Sequence, residues 1–235
     1  MSRRPEVVLD ATAESLRREL AERLTGVPGP WVIEVFERLG STQDLARERA
    51  EAGAPEGRVV LALAQSHGRG RQGRRWRSPR GAGLYVSVVF RPRWKAGEAG
   101  WLPVVSVLAL LRALEARGLT EGCVDPPNDV VTPRGKLAGV LVEPSLARGR
   151  IVFAVVGLGL NLTQTPEEWA RLQLDRPATS CRMEGLDLGV ADALAEWLRE
   201  LATLYRPQPL TAEVTSAWLA EWVQRGGAPE LPTWE

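Results

Sequence analysis

One histidine and two cysteines occur in the 235 residues, and their scarcity narrows the chemistry. A lone His67 excludes most histidine-based metal sites and acid–base triads. Cys123 and Cys181 stand far apart, without the spacing of metal ligands, and read as ordinary buried or half-buried thiols. Neither sign of charge prevails overall, with 30 Lys and Arg against 29 Asp and Glu. A formal net charge of +1 is not that of a polycation that coats nucleic acid. The opening "MSRRPEVVLD" holds no apolar core of signal-peptide length. No run approaches the roughly 18–20 apolar residues of a membrane span. A reducing cytoplasm is the expected compartment.

Acidic residues are missing from one long stretch. No Asp or Glu falls between Glu56 and Glu98, while ten cations do, from Arg58 to Lys95. Six of them lie in "HGRGRQGRRWRSPRG", residues 67–81, among glycines. That segment is a concentrated positive field on a pliable backbone. The rest of the composition, 44% hydrophobic and 25% charged, is that of a globular chain able to bury a core around such a loop.

The periodicities outline a mixed sheet with helices. Leu16, Leu20 and Leu24 repeat at helical spacing within residues 11–24, and "GVPGP" ends that helix. "WVIEVFERL" alternates as a strand, and a helix follows from Ser41 or Thr42 to Gly53. "RVVLALAQ" and "LYVSVVF" are strands on either side of the arginine loop. Residues 99–118 form the longest apolar helix, stopped by Gly118. "CVDPPNDVVTPRG" reads as loop and turn, since its prolines oppose regular pairing over 126–127. "KLAGVLVEP" and "RGRIVFAVVGLGLNL" are strands joined through "SLARGR". Residues 166–172, 189–205 and 211–225 read as helices, and the tail after 225 as irregular. The sum is an α+β fold with a mixed β-sheet flanked by helices.

"GRGRQG" at 68–73 matches the Gly-x-Gly-x-x-Gly of dinucleotide folds and kinases. The dinucleotide reading fails because no helix opens directly after it and no acidic residue follows about 20 positions on. The kinase reading fails for want of a catalytic loop downstream. What survives is physical: glycines let backbone N–H groups approach an anion, and arginine forks match phosphate oxygens. A solvated arginine loop or a nucleic-acid patch is the bland alternative, and only Trp76 lies within the loop to stack on bases.

Further motifs follow in order. "STQD" (41–44) starts a helix, so hydroxyls and backbone N–H groups converge there; plain N-capping accounts for it equally. "PND" (127–129) sets an amide and a carboxylate on a turn, as an Asx turn also does. Lys136 heads an apolar strand before the small pair Ala138-Gly139. Gly157 and Gly159 precede Asn161, a pattern that a strand bend also gives. Glu143, at the end of the Lys136 strand, reads equally as structural or as facing a site.

Taken together, "STQ", "QSHGRGRQGRRWRSPRGAGLYVS", "DPPND", "KLAGVLVE" and "GLGLN" resemble the motif series of the biotin protein ligase catalytic domain, in the biotin/lipoyl ligase superfamily. The resemblance covers roughly residues 31–181. It implies a class II biotin synthetase-like catalytic domain over 31–205, an N-terminal helical extension over 1–30 without a helix-turn-helix domain, and a short helical segment over 206–235. The small C-terminal barrel of many members is not expected. It implies ATP and Mg2+ as cofactors, biotin as substrate, and a biotin carboxyl carrier protein as acceptor, with neither DNA nor membrane as partner. Exposed sheet edges of the fold leave a homodimer among the expected assemblies.

By the same resemblance, Ser41, Thr42, Gln43 and Gln65 meet the biotin ring system. Gly68, Arg69, Gly70 and Arg71 close over the carboxylate and phosphate, in a loop that orders when ligand binds. Lys136 sits at the reacting carboxylate and α-phosphate, with Gly139 beside it. Trp76 lies near adenine, and Asn128, Asp129 and Asn161 border the nucleotide or metal side. The expected catalytic residues are Lys136, Arg71 and Arg69. The family's Lys-Trp-Pro-Asn-Asp turn reads Asp125-Pro126-Pro127-Asn128-Asp129 here, which reverses a charge and sets a carboxylate where it would oppose the substrate's. Other readings are a non-catalytic biotin or biotinyl-AMP binder, a lipoate or octanoate ligase, and a nucleic-acid-binding domain.

Overall fold

The computed structural model describes residues 12–172 and 174–230. A sheet of seven strands runs in the order β1-β2-β3-β7-β6-β5-β4. β1 (Val32–Phe36) and β2 (Arg58–Ala62) are parallel, because α2 (Thr42–Glu51) crosses between them. All other neighbours are antiparallel: β3 (Gly83–Phe90), β7 (Arg150–Asn161), β6 (Gly135–Ala147), β5 (Asp129–Thr132) and β4 (Cys123–Asp125). The mixed sheet with flanking helices is the expected α+β architecture.

Alternation along the central strands decides which face does what. Val86 and Val88 of β3, Leu158 and Leu160 of β7, and Val140 and Val142 of β6 join one large core. Onto that face pack α1 (Ala13–Arg23), α3 (Trp101–Glu115) and α5 (Val190–Leu204), with α6 (Ala212–Gln224) against α3 and the short α4 (Pro166–Leu172) on the connection after β7. Leu16 and Leu20 of α1 and Trp218 and Trp222 of α6 belong to this core. Trp218 lies 6.0 Å from Trp94 and 5.8 Å from Trp101 between ring centroids. Two of the buried indoles have their polar handles satisfied: Trp197 Nε1 donates to Ser106 O at 3.0 Å and Trp94 Nε1 to Arg206 O at 2.8 Å. On the other face, Ala46 and Ala50 of α2 cover only Val60, Val89, Phe153 and Val155. The remaining sheet surface on that side is left for small and polar residues.

Several sequence readings need correction. Residues 123–135 are not loop throughout: β4 and β5 form a hairpin with Asp125 opposite Asp129. The prolines fall in its three-residue turn, where no ladder N–H is required, and the Pro126-Pro127 peptide is cis. "SLARGR" is mostly strand, and the β6–β7 turn is Arg148-Gly149, both at positive φ (51° and 73°). Cys123 is exposed rather than buried, because it sits on the edge strand. Cys181 is buried, and burial pushes its thiol up to about 12. The helical stretch Ala96–Glu115 is, by length and composition, long and apolar enough to cross a membrane, yet 83% of it is buried inside the fold. Here it is a core helix.

Candidate active site

The helix-poor face of the sheet forms the floor of an open cavity of about 1190 Å³, its mouth included. Strand register builds that floor. Ser87, Gly157 and Leu141 stand side by side across β3, β7 and β6, and Tyr85, Gly159, Gly139 and Asp129 form the next row. Every candidate residue of the sequence analysis lines this cavity except Gly68. Gly68 lies behind the wall, where a Cβ would stand 2.5 Å from the Trp76 carbonyl oxygen, so its part is to let the loop close on itself.

The start of α2 forms one end. Ser41 caps the helix, its hydroxyl accepting from Gln43 N at 3.2 Å. Gln65 Oε1 accepts from Thr42 N at 2.8 Å, and its Nε2 donates to Ser78 Oγ at 2.9 Å. The Ser87 hydroxyl lies 3.0 Å from both Thr42 Oγ1 and Gln43 Oε1. Gln43 Nε2 donates to Glu143 Oε2 at 2.9 Å and to Val155 O at 3.2 Å. Its amide oxygen occupies the space of a missing side chain: a Cβ on Gly157 would stand 2.5 Å from it. Apart from the Glu143 carboxylate behind Gln43, this end is built of neutral, largely buried hydrogen-bonding groups.

The arginine loop folds over the middle as a small hairpin. Arg69 pairs with Arg75, Gly70 N donates to Arg74 O at 2.8 Å, and Gln72 takes positive φ at the tip. Arg69 is tied to Asp44 at 2.7 Å and to Glu143 at 2.6 Å. Arg71 Nη1 reaches 3.5 Å from Asn128 Oδ1. The Trp76 indole packs against Gly159, with Lys136 Nζ 5.2 Å from its ring centroid.

Lys136 is one of only two lysines in the chain, the other being Lys95. Its ammonium donates to Asp129 Oδ2 at 2.6 Å. Burial holds its pKa below the ordinary 10.5, against the upward pull of Asp129, and Arg176 and Arg74 lower it further. Gly139 makes this centre fit, since a Cβ there would crowd Asp129 Oδ1 at 2.9 Å and Lys136 Nζ at 3.1 Å. Asn128 Nδ2 donates to Val140 O at 2.6 Å and clamps the turn to β6. Asn161 spends its amide N–H groups on Lys136 O and Thr179 O, so it secures the wall rather than offering donors to a ligand.

Glu143, left open by the sequence between a structural place and one facing the site, joins Gln43 to Arg69 behind the cavity lining; counting by twos from Gly139 sets it on that side of β6. Ser87, a polar residue within an apolar strand, carried a similar signal. Trp169 and Arg176 also line the cavity, on the connection after β7, and nothing local marks them. The reversed charge at position 125 does not face the cavity unopposed, because Arg176 pairs with Asp125 at 2.9 Å and with Asp129 at 2.7 Å.

Residues 35–161 match the model of the biotin/lipoate A/B protein ligase family. The chain is similar to the biotin–[acetyl-CoA-carboxylase] ligase of Mycobacterium tuberculosis, 39% identical over 180 residues, covering 74% of this chain and 62% of that protein. With the corresponding ligase of Paracoccus denitrificans it shares 36% identity over 181 residues, 71% of each chain. It spans only 40% of the length of the Bacillus subtilis bifunctional ligase/repressor BirA, which it matches at 32% identity over 56% of its own length. Among solved structures it resembles biotin protein ligase from Leishmania major in complex with biotin (TM-score 0.67, 25% identity, 84% of this chain and 82% of that one). It also resembles the Aquifex aeolicus enzyme in complex with biotin and ATP (TM-score 0.57, 30% identity, 73% and 68%). With its family model, its relatives and its fold in agreement, this chain belongs to the biotin/lipoate A/B protein ligase family.

Proposed function

We propose that the chain is an ATP-dependent biotin protein ligase, with catalysis carried by residues 31–205. The carboxylate of biotin attacks the α-phosphorus of ATP, the α–β phosphoanhydride bond breaks, and biotinyl-5′-AMP and pyrophosphate form. The amine of a lysine on a biotin carboxyl carrier protein then attacks the acyl carbon. AMP leaves with the bonding pair, and the amine loses its proton.

The observation that carries this reading is the polarity gradient along one cavity. At the α2 end, Gln43, Ser87, Thr42 and Gln65 offer neutral hydrogen-bonding groups of the kind a ureido ring takes. At the other, Lys136, Arg71 and Arg176 gather cations where a carboxylate and a phosphate must meet. Two anions approach one another only if their charge is met, and preorganised cations do that without reorganising at the moment of reaction. Lys136 bridges the attacking carboxylate and the α-phosphate, and Arg69 and Arg71 close from above. The N–H groups of Trp76 and Trp169 are buried in the wall with no acceptor among the described residues, and ligand oxygens would satisfy them. ATP ordinarily carries Mg2+; no group of three His, Cys, Asp or Glu converges on one point among the described residues. The expected Mg2+ is a cation that arrives on the phosphates and keeps its waters.

Exchange of labelled pyrophosphate into ATP tests the reading, with biotin, lipoate and octanoate assayed in parallel. Exchange with biotin alone is expected. Exchange with another acid would rename the substrate. No exchange with any acid, from protein that still binds biotin, would leave a non-catalytic binder.

A further inference from the structure

Arg176 lies outside every motif that marks the family in this chain, yet it enters the centre of the site. Its guanidinium spans two carboxylates of the β4–β5 turn, Nη1 on Asp125 Oδ2 and Nη2 on Asp129 Oδ2. Asp129 Oδ2 is the same atom that holds Lys136 Nζ. Two cations thus converge on one carboxylate oxygen from different elements.

The backbone keeps Arg176 there. Lys136 N donates to Pro177 O at 3.0 Å, and Thr179 N donates to Lys136 O at 2.9 Å. The segment therefore pairs with the head of β6 at Lys136 itself. Gly135 allows the approach, since a Cβ there would stand 2.6 Å from the Pro177 carbonyl. Arg176 is positioned by main chain rather than swept in from solvent.

Stability does not account for it. The Arg176 and Asp125 side chains are 40% and 44% exposed, so that pair contributes little, and the buried Asp129 keeps Lys136 as a partner without Arg176. What the geometry does is deliver charge. Without it, the turn would set the two carboxylates of Asp125 and Asp129 beside a site for anions; Arg176 meets both and brings a cation to that place. Its guanidinium has further N–H groups beyond the two it gives to the carboxylates, and it lines the cavity.

Position selects the ligand group. The neutral end of the cavity lies over β3 and β7, Lys136 stands on β6, and Arg176 meets β4 and β5. Three strand spacings, about 14 Å, separate the Ser87 strand from β5. An acid seated at the α2 end brings its carboxylate to Lys136 and leaves the far side to the nucleotide.

We propose that Arg176 is a nucleotide-phosphate ligand of this site, held in readiness by Asp125 and Asp129 until the triphosphate arrives. The assignment rests on the adenylate-forming reading above. The test measures biotin-dependent pyrophosphate exchange at varied ATP and varied biotin, together with calorimetric titration of ATP and Mg2+. Arg176→Gln should raise KM for ATP by about tenfold or more, the scale of a lost charge-assisted hydrogen bond. KM for biotin should stay within about twofold and the melting temperature nearly unchanged, since the Asp125 pair is exposed and Asp129 stays bonded to Lys136. Arg176→Lys should recover part of the loss. So should Asp125→Lys added to Arg176→Gln, because it returns a cation to the same place from the turn. An unchanged KM for ATP in Arg176→Gln overturns the assignment and leaves the ligase reading intact. So does a loss shared equally by ATP affinity, biotin affinity and melting temperature, rescued by neither lysine. Wild-type protein that neither exchanges label nor binds ATP would remove the adenylate-forming reading, and the role of Arg176 with it.

Discussion

The Trp76 indole rests on Gly159: a Cβ at that position would stand 2.4 Å from Cε2 and 2.6 Å from Nε1. The same strand gives way to Gln43 at Gly157. The two glycines are voids shaped for side chains from the loop and from α2. Gly159→Ala should therefore lift Trp76 and the loop off the sheet. The overpacking, about 1–3 kcal/mol, falls on the loop and not on the core. Affinity for biotin and ATP should fall about tenfold or more by calorimetry, with little change in melting temperature. Unaltered affinity would separate Trp76 from the ligand site.

Lys136 gives the reaction a pH signature. Its pKa lies below 10.5, chiefly through burial, with Asp129 opposing the shift. The ammonium is the useful form, so the rate should fall on the alkaline side at lower pH than for a solvated lysine. Asp129→Asn removes the opposing carboxylate and should move that limb to still lower pH, besides reducing the rate. Lys136→Arg should remove the limb from the accessible range, since guanidinium keeps its proton. A limb that ignores both substitutions would belong to another group.

Glu143 ties Gln43 to Arg69 and stands outside the cavity lining. Glu143→Ala leaves both partners short of an acceptor, a change on the order of 1.5–3 kcal/mol for bonds to a charged group. KM for biotin should rise about tenfold, with a smaller effect on kcat. Adding Arg69→Ala should cost less than the sum of the two single effects. Full additivity would mean that Glu143 does not act through Arg69.

How much of this was legible in the sequence depends on how local each signal is. The cap at Ser41, the glycine-arginine loop and the Lys136 strand announce themselves through neighbouring residues. Glu143 and Ser87 were legible in principle, because a strand period of two sets them on the face of Gly139 and Gly157. The β4–β5 hairpin was missed because prolines argue against pairing, and only the placement of Pro126-Pro127 in the turn reconciles them with it. Arg176 had no local mark. Its place depends on the path of the connection after β7, and its partners Asp125 and Asp129 lie about fifty residues earlier in the chain. Asp125, read alone, looked like a charge opposing the substrate; paired, it is part of a bridge.

The arginine loop folds as a hairpin over the cavity and is expected to order further when ligand binds. Arg74 and Arg75 are exposed near its tip, where trypsin cuts flexible chain readily. Limited proteolysis should nick the free protein there, and biotin with ATP should protect it. Equal cleavage with and without ligands would mean that the loop does not close.

The central claim is that this cavity joins biotin to AMP and that Lys136 carries the step. Stoichiometric protein mixed with biotin, ATP and Mg2+, quenched in time and resolved by chromatography with mass detection, tests it in one turnover. The account predicts biotinyl-5′-AMP in amounts approaching one per protein. In Lys136→Ala the rate should fall by about two to three orders of magnitude, the scale of losing a preorganised charge, with the protein still folded. No adenylate from wild-type protein with biotin bound, or adenylate at the wild-type rate from Lys136→Ala, would contradict it.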